Sequence, residues 1–316
     1  MNPIKLIPWR RVGFLFAGLL LLTLVVGYSG ATEIWTRVSG IRFLYVILLG
    51  LSSLGVLCRT FSWQLILGRP SVSFLGLFRL LVSGEALDQT SRLIPVKGPT
   101  YSAPVLNRRY QRPDALDSMI VHRALMSLAR FRLGWVSLVI GFAHAFYLPR
   151  SWSWGLCLLA LVGGLLGRNL LNSPERLIFL SPAVRGGLEE SSRILRGWTT
   201  EHRWKSLVVE MLLLFGETIG LIEIFLIGRA ILSPFDPSLA LILYSSSLIV
   251  PMLCQFLPGT LGILEIIFGG FLFFAVGGVG LVGGVSLQLV RRLRAIFWMT
   301  VGLLWVGNPL KALRND

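Results

Sequence analysis

Apolar positions in this chain run on rather than recurring every three or four residues. Windows near 42–66, 120–147, 152–169, 207–231, 238–257, 262–284 and 288–307 are almost wholly apolar. Another run follows the basic start "MNPIKLIPWRR" and continues to roughly residue 28. Runs of about 18–25 residues match the helix length that crosses a hydrocarbon layer of about 30 Å. The first run has no clear small-x-small cleavage site, so an uncleaved first helix is expected rather than a signal peptide. The pattern predicts an all-α polytopic integral membrane protein with about seven or eight transmembrane helices, one or two of its segments broken or re-entrant.

The polar positions gather in two places. Segment 69–118 carries Arg69, Arg79, Arg92, Lys97, Arg108, Arg109 and Arg112 against Glu85, Asp88, Asp114 and Asp117. Segment 170–206 is arginine-rich as well. Segments 29–41, 148–151 and 232–237 are short and nearly neutral. Lys and Arg favour the cytoplasmic side, which places the N-terminus there in a plasma (inner) membrane, with eight spans. If 258–285 is re-entrant instead, the count falls to seven and the C-terminus lies outside.

Composition narrows the class. Of 316 residues, 54% are hydrophobic and 14% charged. No window of soluble composition is long enough for a second domain, so 1–316 reads as one transmembrane domain. The net charge is +15. In this setting it fits cytoplasmic loops and anionic headgroups, and no nucleic-acid partner is expected. Cys58, Cys157 and Cys254 lie far apart in apolar stretches, and His122, His144 and His202 are isolated. No metal site and no cofactor are expected.

The candidate chemistry lies where the apolar runs are interrupted. "QFLPGTLGILEIIFGGFLFF" sets Pro258, Gly259 and Gly262 ahead of Glu265. Freed backbone groups within a membrane need partners, so a broken helix belongs against protein or a wet cavity. Glu265 could cap the break, pair with an arginine or carry a proton. The N–H groups of such a half-helix would favour an anion such as a lipid phosphate. The plainer reading is a Pro-Gly turn between two spans.

"SRLIPVKGPTYSAPVLNRR" is punctuated in a similar way through Pro95, Lys97 and Gly98. It follows "VSFLGLFRLLVSGEAL", too short and polar to span securely. Two such segments in corresponding halves point to a transporter repeat. The halves would be about 1–169 and 207–316, joined by the basic segment 170–206. The run after residue 206 carries Glu210, Glu217 and Glu223. Glu217 is the most central, and a carboxylate there faces the bundle interior, as part of a path or as a structural partner for Arg59, Arg123 or Arg130. The glycine-rich "GGFLFFAVGGVGLVGG" suits close helix packing better than a phosphate loop.

At these residues the chain resembles the transmembrane region of the lysylphosphatidylglycerol synthases, a flippase-like family. "LPGTLGILE" carries the late signature through Pro258, Gly259, Gly262 and Glu265, and "LVRRLRAIFW" the basic stretch with Arg291 and Arg292. The early signature is looser: Pro95, Lys97, Gly98 and Arg123 match, a carboxylate is missing near Thr100, and His122 stands where glutamate is usual. The resemblance implies a polytopic protein that handles membrane lipids. The family's soluble aminoacyl transferase half is not expected in a chain ending at Asp316.

The expected function is a lipid flippase or transporter moving an anionic or polyprenyl-linked (glyco)lipid between leaflets. Pro95, Lys97, Gly98, Arg123, Glu217, Pro258, Gly259, Gly262, Glu265, Arg291 and Arg292 would form its cavity. The alternatives are an integral-membrane glycosyltransferase and a non-catalytic membrane partner of a lipid- or envelope-biosynthesis enzyme.

Overall fold

The computed structural model describes residues 20–68, 73–91, 115–145, 182–233, 235–253 and 262–312. They form ten helices and no strand. In chain order these are α1 Leu20–Ser29, α2 Ala31–Gly40, α3 Arg42–Leu67, α4 Phe74–Ser91 and α5 Ala115–Ala145. Then come α6 Pro182–Glu201, α7 Arg203–Ile231, α8 Pro237–Leu253, α9 Ile263–Val276 and α10 Gly278–Ala312.

Three of them, α3, α5 and α7, are long and apolar enough to cross a membrane. At 1.5 Å per residue, the shortest of the three is about 39 Å long. Large apolar side chains also point outward from the helices: Phe43 on α3, Phe142 on α5, Met211 and Phe215 on α7. Apolar side chains on both the packed and the outer faces of such a helix fit a lipid surround. The hydroxyls inside these helices bond back to their own ladder. Thr60 donates to the Val56 carbonyl at 2.9 Å, Ser62 to Cys58 at 2.8 Å and Thr218 to Leu214 at 2.8 Å. A small polar group is thereby satisfied without water.

The chain divides into two compact units, 1–52 with 79–102 and 222–316, and 53–78 with 103–221. In the second unit, Ile66, Val121, Leu125, Ala129, Leu195, Val209 and Leu213 form a buried core. The indole of Trp63 donates to the Ser118 hydroxyl at 3.3 Å and stacks on His122, whose Nε2 lies 3.1 Å from the Arg59 carbonyl. Helix α6 falls within the segment expected only as a basic connection. It is amphipathic, and Ile194, Leu195 and Trp198 pack it into this core.

In the first unit, α9 and α10 form a hairpin. The expected break near 285–287 is absent: α10 runs unbroken from Gly278 to Ala312, and the break falls at Gly277. Gly277 has φ 82 and ψ −163, a region open in practice only to glycine. Its N–H closes α9 on the Phe273 carbonyl at 2.8 Å. The helices then run back antiparallel at very close range. A Cβ on Gly280 would lie 2.0 Å from the Leu272 carbonyl oxygen, and one on Gly284 2.4 Å from that of Phe268. The glycine-rich stretch therefore serves close packing, within one hairpin. Its first arm has 14 residues, about 21 Å, short of a full crossing. The segment expected as an outer loop, 29–41, holds α2. Its Arg37 pairs with Glu33 at 2.7 Å and donates to the Ile231 carbonyl at 3.2 Å, which caps the end of α7.

Candidate functional site

Charged side chains within these helices meet in carboxylate–arginine pairs. In the first unit, Glu265 stands in the first turn of α9 and is fully buried. It meets Arg292 of α10 in a two-pronged contact. Nε of Arg292 donates to Oε1, and Nη2 donates to Oε2 at 3.0 Å. The planar fork of arginine suits this geometry and fixes the register of the hairpin. Gly262, at φ 80, precedes α9 and has no side-chain cap. A Cβ there would lie 2.8 Å from Leu21 of α1. Glu265 therefore pairs across the hairpin rather than capping the break. Its carboxylate also complements the positive end of the α9 dipole.

Two residues further along α10, Arg294 pairs with Glu223 of α7, which is 1% exposed. Arg292 and Arg294 lie about 200° apart around the helix, so the two pairs occupy different sides of α10. Arg291 is placed differently again. Its Nη1 donates to Gln288 at 3.3 Å, its Nη2 reaches the Ser247 hydroxyl of α8 at 3.5 Å, and its Cζ lies 5.9 Å from the centre of the Phe268 ring.

In the second unit, Arg130 of α5 donates to Glu217 at 2.9 Å, and Arg132 donates to Glu210 at 2.6 Å. Glu210 and Glu217 are two turns apart on one face of α7. Glu223, about 140° round from Glu210, belongs to another face. An open groove of about 370 Å³ beside Glu210 is lined by Thr199, Thr200, Arg203, Ser206 and Leu207.

Of the residues expected to form a cavity, the structure brings Gly262, Glu265, Arg291 and Arg292 together in the hairpin unit. Glu217 and Arg123 belong to the other unit, where Arg123 is half-buried on α5. Pro95, Lys97, Gly98, Pro258 and Gly259 lie outside the described residues.

Sequence reasoning passed over Arg132 and Arg294 as partners, and Ser247 and Gln288 as neighbours of Arg291. A signal was present for the arginines. Arg130 and Arg132 interrupt an apolar run, and an ionisable residue in such a run calls for one of opposite sign. Ser247 and Gln288 gave none, since polar residues of that size are common in membrane helices. No family model, no curated protein and no solved structure matches this chain.

Proposed function

We propose that this protein moves a lipid with a charged headgroup, anionic or polyprenyl-linked, between the leaflets of a bacterial-type inner membrane. The observation that carries the reading is the buried Glu265–Arg292 pair on a glycine-packed, broken-helix hairpin. Charges in apolar helices cost several kcal/mol unless paired, so they persist where a path or a switch needs them. Irregular backbone beside a buried charge is the arrangement that transporters use at their binding sites. The resemblance of "LPGTLGILE" to the flippase-like family points the same way. A hairpin whose first arm is too short to cross favours the seven-span count, with the C-terminus outside and the N-terminus cytoplasmic.

The test is leaflet exchange of labelled lipids in proteoliposomes. Wild type should exchange one class among phosphatidylglycerol-like, zwitterionic and polyprenyl-phosphate lipids. Glu265→Gln and Pro258→Ala should both lose that exchange. No exchange of any lipid by folded wild-type protein would sink the transport reading. Weight would then pass to an enzyme or to a non-catalytic partner of one.

A further inference from the structure

Three arginines stand within four residues on α10, and their surroundings are unequal. Arg292 has Glu265 and Arg294 has Glu223. Arg291 has no carboxylate among the described residues. Its named hydrogen-bond partners are neutral and distant, Gln288 at 3.3 Å and the Ser247 hydroxyl at 3.5 Å. Its Nε–H is buried and has no partner among the described residues. A guanidinium carries five donors and a full charge, and two long contacts to neutral oxygens compensate neither.

The immediate surroundings fit an anion. Phe268 lies under the guanidinium, a cation–π contact that leaves the donor edge of the fork available. Gln288 is buried and gives its carbonyl oxygen to Arg291, which leaves its amide N–H donors for another acceptor. Ser247 is half-buried on α8 and donates to the Tyr244 carbonyl at 2.7 Å, so it meets Arg291 as an acceptor. An arriving anion would displace that weak contact. Glu265 of α9 and Glu223 of α7 already have Arg292 and Arg294 as partners, so the missing charge must come from outside the described helices. The positive end of α9 does not compete for it, because Glu265 sits there.

We propose that Arg291 holds a phosphate oxygen, with the Gln288 amide as second donor. The proposal rests on the lipid-handling reading above and adds the chemical group that is held. A phosphate mono- or diester matches the planar fork of arginine and is the anion that membrane lipids supply most abundantly. A lipid headgroup and free phosphate share this chemistry, and the experiment separates them.

Full-length protein, delipidated in detergent, is titrated with phosphatidylglycerol, a polyprenyl phosphate, diacylglycerol and inorganic phosphate. Binding is read by tryptophan fluorescence and by the thermal unfolding midpoint. Wild type should bind the phosphate lipids and not diacylglycerol. Arg291→Gln should weaken that binding roughly tenfold or more, the size of a charge-assisted hydrogen bond. Arg291→Lys should retain part of it, and Gln288→Leu should lose less. Arg37→Gln, which removes the Glu33 ion pair and the cap on the Ile231 carbonyl but touches neither Arg291 nor Gln288, should bind as wild type does.

Competition by inorganic phosphate would support the site and identify its source as a soluble anion. Selective lipid binding without such competition would support it as a headgroup site. Equal affinity of wild type for diacylglycerol would overturn the proposal. So would unchanged phosphate-lipid affinity in both Arg291→Lys and Gln288→Leu, variants that keep the test open should Arg291→Gln not fold. Leaflet exchange is measured on the same preparations. Arg291-dependent binding without exchange sinks transport and leaves the site standing. Exchange with binding indifferent to Arg291 does the reverse.

Discussion

The two units hold their buried charges in different ways. In the unit built on α5 and the first part of α7, both members of each pair come from long helices with no break. The side chains there keep some exposure, 13% for Glu217 and 40% for its partner Arg130. In the hairpin unit, Glu265 is 0% exposed and Glu223 is 1% exposed. One of these stands on a short helix beside a break, and a third arginine nearby has no carboxylate partner among the described residues. The contrast separates two uses of one chemical device. A pair between continuous helices pins them together. A pair at a break, next to an arginine held only by neutral described groups, makes a polar place inside an apolar body.

The glycines repeat the contrast. In the second unit, α3 and α7 approach through Gly55 and Gly216, and a Cβ on Gly55 would sit 3.4 Å from the Gly216 carbonyl oxygen. That is ordinary contact. In the hairpin the equivalent distances at Gly280 and Gly284 fall to 2.0 and 2.4 Å, so no side chain at all is tolerated.

The sharpest way to break the comparison is to orphan a carboxylate in each unit. Arg292→Leu strands Glu265 and should cost about 3–5 kcal/mol of stability. Glu265→Leu with Arg292→Leu should recover most of it, as seen in thermal unfolding in detergent. Arg130→Leu should cost less, about 1–2 kcal/mol, because Glu217 is not sealed from its surroundings. Equal losses in the two units would dissolve the distinction.

Next in size, Gly280→Ala should cost about 3 kcal/mol, since backbone rather than a flexible side chain stands in the way. Gly55→Ala should change stability by less than about 1 kcal/mol, helix propensity offsetting slight crowding. A strong effect at Gly55 would place the tight contact in both units. Gly277→Ala should cost about 1–3 kcal/mol from backbone strain alone, and more than Gly50→Ala, where open space surrounds the new methyl. A modest effect is expected for Ser52→Ala. It removes the acceptor for the Trp298 indole at 2.8 Å and should cost about 1 kcal/mol.

The all-helical class and the three long apolar helices were legible because length and hydropathy act locally and leave a mark in every window. The boundary at Gly277 was not. The run "AVGGVGLVGG" offers several glycines, and only packing of α10 on Leu272 and Phe268 decides which of them turns. The candidate residues Glu265 and Arg292 could be picked out singly as charges in apolar runs. Their pairing across 27 positions depends on where the hairpin folds, which a local pattern does not encode. Helix α6 was hidden for a related reason. Its polar face made the segment look like a connection, and its apolar face is recognised as such only beside Val209 and Leu213.

One feature of the pairs bears on how the chain enters the membrane. Arg130 and Arg132 precede Glu210 and Glu217 in the chain, whereas Arg292 and Arg294 follow Glu265 and Glu223. During synthesis, α7 meets a cationic helix already delivered on one side. On the other side its carboxylate, and later that of α9, must wait for the last described helix to emerge. Until then each faces an insertion penalty of about 2.5–3.5 kcal/mol at full depth. The hairpin unit should therefore be the late step of biogenesis and the part most exposed to quality-control proteases. Nested truncations ending before residue 291 should be degraded faster in pulse-chase labelling than chains extending past residue 294. Equal lifetimes would show that the late arginines do not govern insertion.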